Sequence, residues 1–230
     1  MEPIVVIAFI LASTVLLKIA FSIDTKEVEP LKENKDLEIL TNKLPENTQI
    51  AKEMLEILGN QTVKVEVSKN SKTSLYIAIT NKISIADIKN NYARIQTIAH
   101  ECLHSVQDRR LLLFNFIFSN IIILYWLTIS ILTAIHVITN IAIPVFVLLL
   151  MATIKLAIRG FLETDAIIKS KYLSKEYMAS KNILTEKEII SIIEKYDEIN
   201  KIAVPFTILR ILSASLISIF IYATIALIFQ

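Results

Sequence analysis

Residues 111–158 read LLLFNFIFSNIIILYWLTISILTAIHVITNIAIPVFVLLLMATIKLAI, a run of 48 in which Lys155 is the single charge. A helix rises 1.5 Å per residue and the hydrocarbon of a bilayer is about 30 Å thick, so one crossing takes about 20 residues. The run is therefore a pair of crossings. His136-Val-Ile-Thr-Asn140 supplies the turn, and Pro144 falls early in the returning helix, where a missing N–H is tolerated.

The same pattern recurs on either side. Residues 3–23 are apolar except for Lys18, and residues 204–229 except for Arg210. Each is long enough for one span, which gives four transmembrane helices. The first run is expected to be an uncleaved anchor. Its lead, Met1-Glu2-Pro3, is acidic where a signal peptide is basic, and no Ala-x-Ala-like site follows. The expected organisation is an N-terminal anchor over 1–23, a polar segment over 24–110, the hairpin over 111–158, a second polar segment over 159–203, and a closing span over 204–230.

The 230 residues are 54% hydrophobic and carry 24 basic and 22 acidic side chains, net +2. A soluble domain is seldom so apolar, and a disordered chain needs low hydrophobicity. Near-zero net charge leaves no electrostatic footprint for nucleic acid. Two glycines cannot build a phosphate-cradling loop, and one cysteine forms no internal disulfide.

The charge is sorted by position. Segment 24–110 holds 13 basic residues and segment 159–203 holds 8; Lys18, Lys155 and Arg210 complete the 24. A hairpin joins the two segments, so both are expected on one membrane face, with the three stray bases snorkelling towards it. The positive-inside rule makes that face cytoplasmic and places both termini outside. The bases beside the spans (Lys26, Arg109, Arg110, Arg159 and Lys201) carry this orientation.

Within the first polar segment, residues 24–45 read as a linker or weak helix. Ile50, Ala51, Met54, Leu55 and Leu58 recur at helical spacing before Gly59, a helix stop. Val63, Val65 and Val67 then alternate with polar residues, as do Leu75, Ile77 and Ile79 after a turn at Asn70-Ser71-Lys72. These predict a β-hairpin followed by a long helix starting near Ser84 and running towards the second span. Strand 74–80 is either an ordinary core strand or an edge with which an extended peptide could pair. In the second segment, residues 161–181 continue the third span. Thr185-Glu-Lys-Glu188 is a capping box opening a helix with Ile189, Ile192, Ile193 and Tyr196 on one face.

His100-Glu101-Cys102-Leu103-His104 carries the chemistry. Histidines four apart project from one face of a helix and can share one Zn²⁺, while Glu101 is placed to take a proton from zinc-bound water. A catalytic zinc needs a third protein ligand. His136 is expected in the turn across the bilayer, and Cys102 lies about 200° round the helix from His100, as a small buried residue. Glu163 follows the third span by five residues, and His104 precedes the second by seven. They stand roughly 8 and 10 Å above the same face. Glu163 is thus either a ligand or part of a solvated helix end. Gln107 and Asp108 read as helix-surface residues.

Ala99-His-Glu-Cys-Leu-His-Ser-Val-Gln107 resembles the His-Glu-x-Gly-His-Ala-x-Gln signature of the YugP-like bacterial membrane zinc metallopeptidases. The helix from Ala51 to Leu55, the strand Leu75-Tyr-Ile-Ala, Glu163-Thr-Asp-Ala166 and Leu184-Thr-Glu-Lys-Glu188 follow the family's order. The resemblance covers about residues 48–215. Leu103 stands where the family has Gly, which implies altered packing or a narrower cleft beside the metal helix. The resemblance implies a predominantly α integral membrane protein with a cytoplasmic zincin-like α+β portion. It implies His100, His104 and Glu163 as zinc ligands, Glu101 as catalytic base, and Asp165 as a carboxylate holding a ligand imidazole. The expected activity is hydrolysis of peptide or membrane-protein substrates at the cytoplasmic face. The alternative within the same fold is a catalytically inactive metal-binding scaffold.

Overall fold

The computed structural model describes residues 2–21, 34–68, 73–86 and 91–229. The chain divides into two compact units. One comprises Met1–Ile23, Phe114–Phe161 and Pro205–Gln230, the other Asp24–Leu113 and Leu162–Val204.

The apolar unit draws on four helices: α1 (Glu2–Phe21) and parts of three longer ones that carry the elements of the polar unit at their other ends. Among the described residues three helices are long and apolar enough to cross a membrane: Arg109–Ala134, Ala142–Lys181 and Glu186–Phe229. The apolar stretch in α1, Pro3–Leu17, is shorter. Inside this unit Ile129, Ile141, Leu148, Ile219 and Tyr222 pack together with Ile10. Trp126 donates its indole N–H to the Ser218 carbonyl (2.8 Å), and the Thr133 and Tyr222 hydroxyls share a hydrogen bond (3.1 Å). Large apolar side chains elsewhere on these helices are exposed, among them Ile117, Leu124, Ile143 and Phe146. Water would penalise so much exposed apolar surface, and a lipid environment does not. The turn falls at 135–141, with His136 in the left-handed region (φ 61) and the Asn140 side chain accepting from Ala142 N at 2.8 Å.

In the polar unit, α2 (Lys35–Asn42) is capped by Asn34, whose side chain accepts from Leu37 N. Helix α3 (Asn47–Ile57) buries Ile50, Ala51, Met54 and Leu55, and Gly59 at φ 68 ends it in the conformation a glycine adopts without strain.

The strands depart from the expected arrangement. β1 (Lys64–Ser68), β2 (Leu75–Ile77) and β3 (Lys82–Ala86) form one sheet in the order β1-β3-β2. β1 and β2 are not neighbours. The hairpin is β2–β3, antiparallel, turned through 78–81 with Asn81 at φ 48; β1 pairs parallel with β3. The turn expected at 70–72 lies outside the described residues.

Ser84, expected to begin a long helix, is in the central strand instead. Ile83 and Ile85 are buried on its core face, so the period there is two. The metal-motif helix α4 (Arg94–His104) begins ten residues later and does not run on into the span. It stops at His104, with Ser105 Oγ returned to the Cys102 carbonyl (2.6 Å) and Asn60 donating to the Ser105 carbonyl (2.9 Å). After 105–108 a new helix, α5 (Arg109–Ala134), starts with Asp108 accepting from Arg110 N at 2.8 Å.

Helix α6 (Ala142–Lys181) is one continuous helix from the hairpin turn into the polar unit. α7 (Glu186–Phe229) opens with the reciprocal capping box: Glu188 accepts from Thr185 N (2.7 Å) and donates its own N–H to Thr185 Oγ1 (3.3 Å). Ile189, Ile192 and Tyr196 of α7, with Ala166, Leu173 and Tyr177 of α6, close a core against α3, the sheet and α4. Leu103 is buried in that same core, so its bulk is taken up by packing.

Candidate metal centre

α4 places His100 and His104 one turn apart, and α6 brings Glu163 to them. The His100 and His104 Nε2 atoms are 3.1 Å apart; Glu163 Oε2 is 3.4 Å from the first and 3.9 Å from the second. A tetrahedral zinc with bonds of 2.0–2.1 Å has its ligand atoms about 3.3 Å from one another. The three observed separations bracket that edge, and the three atoms converge on one point. The donor set fits a divalent metal with an open position. His136, in the hairpin turn, is not in this group, and Cys102 is buried with Sγ towards the Ala51 carbonyl.

The protonation pattern is set by neighbours. Gln107 Nε2 donates to the Leu162 carbonyl (2.8 Å) and to Asp165 Oδ2 (3.1 Å), so its amide oxygen is the atom turned towards His104 Nδ1, at 2.8 Å. An amide oxygen only accepts, so Nδ1 carries the proton and the Nε2 lone pair points to the centre. Asp165, expected to hold a ligand imidazole, accepts from Gln107 Nε2, and it is Gln107 that meets His104 Nδ1. The other Asp165 oxygen takes Lys169 Nζ at 2.6 Å. Burial works to raise the Asp165 pKa, but hydrogen bonds from Lys169 and Gln107 keep it below the usual carboxylate range.

Gln107 is thus the site residue that a continuous-helix reading missed. The break at 105–108 folds it back over His104. The signal for it was present in the final Gln of Ala99–Gln107, three positions after the second histidine.

Glu101 is buried beside the centre, 7% exposed, and its Oε2 accepts the backbone N–H of Tyr76 in β2 at 2.6 Å. Burial pushes its pKa up to about 7, against the opposing influence of His100 and the Tyr76 N–H. β2 lies at the sheet edge, and its role here is to hold Glu101. The Tyr76 donor that an incoming strand would seek is engaged by that carboxylate.

Among known proteins, no family model, no curated protein and no solved structure matches this chain.

Proposed function

We propose that the chain is a membrane-embedded zinc metallopeptidase of the YugP-like kind, hydrolysing peptide bonds at the cytoplasmic membrane face. The observation that carries the reading is the convergence of His100, His104 and Glu163 beside the buried carboxylate of Glu101. A metal held by those three side chains supplies Lewis acidity for a scissile carbonyl and for a water. Glu101, as the carboxylate, would take the proton of the attacking water and return it to the leaving amine. Gln107 keeps His104 in the tautomer the metal requires. Membrane residence rests on the apolar helices, with α1 as the fourth crossing. The cytoplasmic orientation rests on the confinement of Lys and Arg to the polar segments and the span ends next to them.

Two measurements test this. Purified protein should hold about one zinc per chain by elemental analysis; no metal with the histidines intact would overturn the hydrolytic reading. Glu101→Gln should keep the metal and lose cleavage by about 10²–10⁴. Comparing membrane proteomes of cells carrying wild type and Glu101→Gln should reveal the substrates as proteins that accumulate uncut.

A further inference from the structure

The metal helix carries a second feature. A cavity of about 220 Å³ opens against Thr97 and His100 of α4 and is bounded by Ile167 of α6 and by Ile199 and Ala203 of α7. At ~30 Å³ per water in the liquid, it has room for at least roughly seven waters, or for a leucine- to phenylalanine-sized side chain. Positions 93, 96, 97 and 100 are neighbours on one helical face, so the cavity runs from a metal ligand towards the start of α4. Among the described residues no Asp, Glu, Lys or Arg lines it.

Three of its polar side chains are linked to one another. Ser170 Oγ and Asn200 Nδ2 both donate to the Ile167 carbonyl, at 2.7 and 3.1 Å. Their oxygens in turn accept from Gln96 Nε2, at 3.3 and 2.6 Å. The arrangement fixes which way each amide faces and leaves the cavity uncharged. A charged side chain entering it would give up hydration and meet no counter-ion, whereas an apolar one only displaces water.

We propose that this cavity is the subsite for an uncharged, largely apolar side chain on the substrate residue next to the scissile bond. The proposal rests on the peptidase reading for the bond that is cut. The cavity's contact with His100 is what ties it to that bond: adjacent Cα atoms are 3.8 Å apart, so a carbonyl at the centre brings a neighbouring side chain to the cavity mouth.

The test uses the zinc-loaded full chain in detergent and a series of hydroxamates, read by equilibrium competition binding. The hydroxamate group is common to all, and the attached side chain is that of Gly, Leu, Phe, Asp or Arg, with acetohydroxamate as the bare reference. The Leu and Phe compounds should bind at least about tenfold tighter than the Gly, Asp and Arg compounds. Ala203→Phe, which fills the cavity, should erase that advantage and leave acetohydroxamate affinity unchanged, showing an intact centre. Ile199→Ala, which enlarges the cavity, should move the preference from Leu towards Phe. Equal affinities across the series in wild type, or a Leu advantage that survives Ala203→Phe, would overturn the subsite. Selectivity that behaves as expected in a protein that cleaves no matching peptide would sustain the subsite and overturn the peptidase reading.

Discussion

Replacing Gln107 by Leu separates metal binding from metal positioning. The side chain makes three contacts of 2.8, 2.8 and 3.1 Å, to His104 Nδ1, the Leu162 carbonyl and Asp165 Oδ2. Leucine fills similar space and makes none of them. His104 would then be free to move its proton to Nε2 and to turn its ring, and each excursion removes a ligand from the centre. Loss of an outer hydrogen bond of this type costs about 10- to 100-fold in metal affinity, or about 1.4–2.8 kcal/mol. Competition with a chromophoric zinc chelator at neutral pH reads this directly. Asp165→Ala is the control. It removes one acceptor, but the Leu162 carbonyl still orients the Gln107 amide, so the loss should be only about two- to threefold, well under the usual range. Unchanged zinc affinity in Gln107→Leu would refute the tautomer argument. An Asp165→Ala loss as large as that of Gln107→Leu would mean that the carboxylate acts on the imidazole directly.

Other outcomes follow from the same contacts. Arg94, buried, donates to the carbonyls of Thr41, Leu44 and Pro45 and to Asn47 Oδ1. Arg94→Met strips these acceptors of their donor and should destabilise the polar unit by about 3 kcal/mol or more, seen as a lower thermal midpoint by circular dichroism. Arg94→Lys should recover little of it, since an ammonium cannot span the same fork. At Glu188, the Thr185 backbone N–H, the Lys43 ammonium and the Thr185 hydroxyl hold the pKa down to about 2, against 4.5 unperturbed. Its stabilising contribution is therefore complete above about pH 4.5 and lost as the pH falls towards 2. Glu188→Gln should flatten the pH dependence of unfolding in that window, and an identical profile in both proteins would dismiss the cap as its source. Cysteines introduced at Asn140 and at exposed Lys175 should label from opposite sides of the membrane. Native Cys102, fully buried, should label from neither until the protein unfolds.

What could be read in the sequence was what depends on neighbours in the chain. The apolar runs, the stop at Gly59, the Thr185–Glu188 cap and the histidine pair are all local signals, and each stands where its spacing puts it. For Glu163 the arithmetic of a hairpin that leaves and returns gave the level but left ligand or helix end open, and the family resemblance chose between them. The sheet was harder to read. Ile83 and Ile85 give just two turns of alternation, and β3 takes the central place only because β1, 18 positions earlier in register, pairs with it in parallel. That pairing is a long-range choice no local period reveals. Gln107 stands three positions after His104, on the same helical face, and what no local period reveals is that its amide also meets the Leu162 carbonyl and Asp165, 55 and 58 positions away.

The interleaving of the two units sets an order of assembly. Synthesis delivers α2, α3, the sheet and α4 first, with both histidines in place. At that stage the core lacks Ala166, Leu173, Tyr177, Met178, Leu184, Ile189, Ile192 and Tyr196, all of which lie beyond the hairpin. The N-terminal half is therefore an incomplete fold with two of the three candidate ligands. It can close, and meet Glu163, only after residues 111–158 have left the ribosome. The nascent chain thus holds its chemistry in reserve until the greasy hairpin has been delivered, and a chain truncated before α6 is left with neither a finished core nor a finished centre.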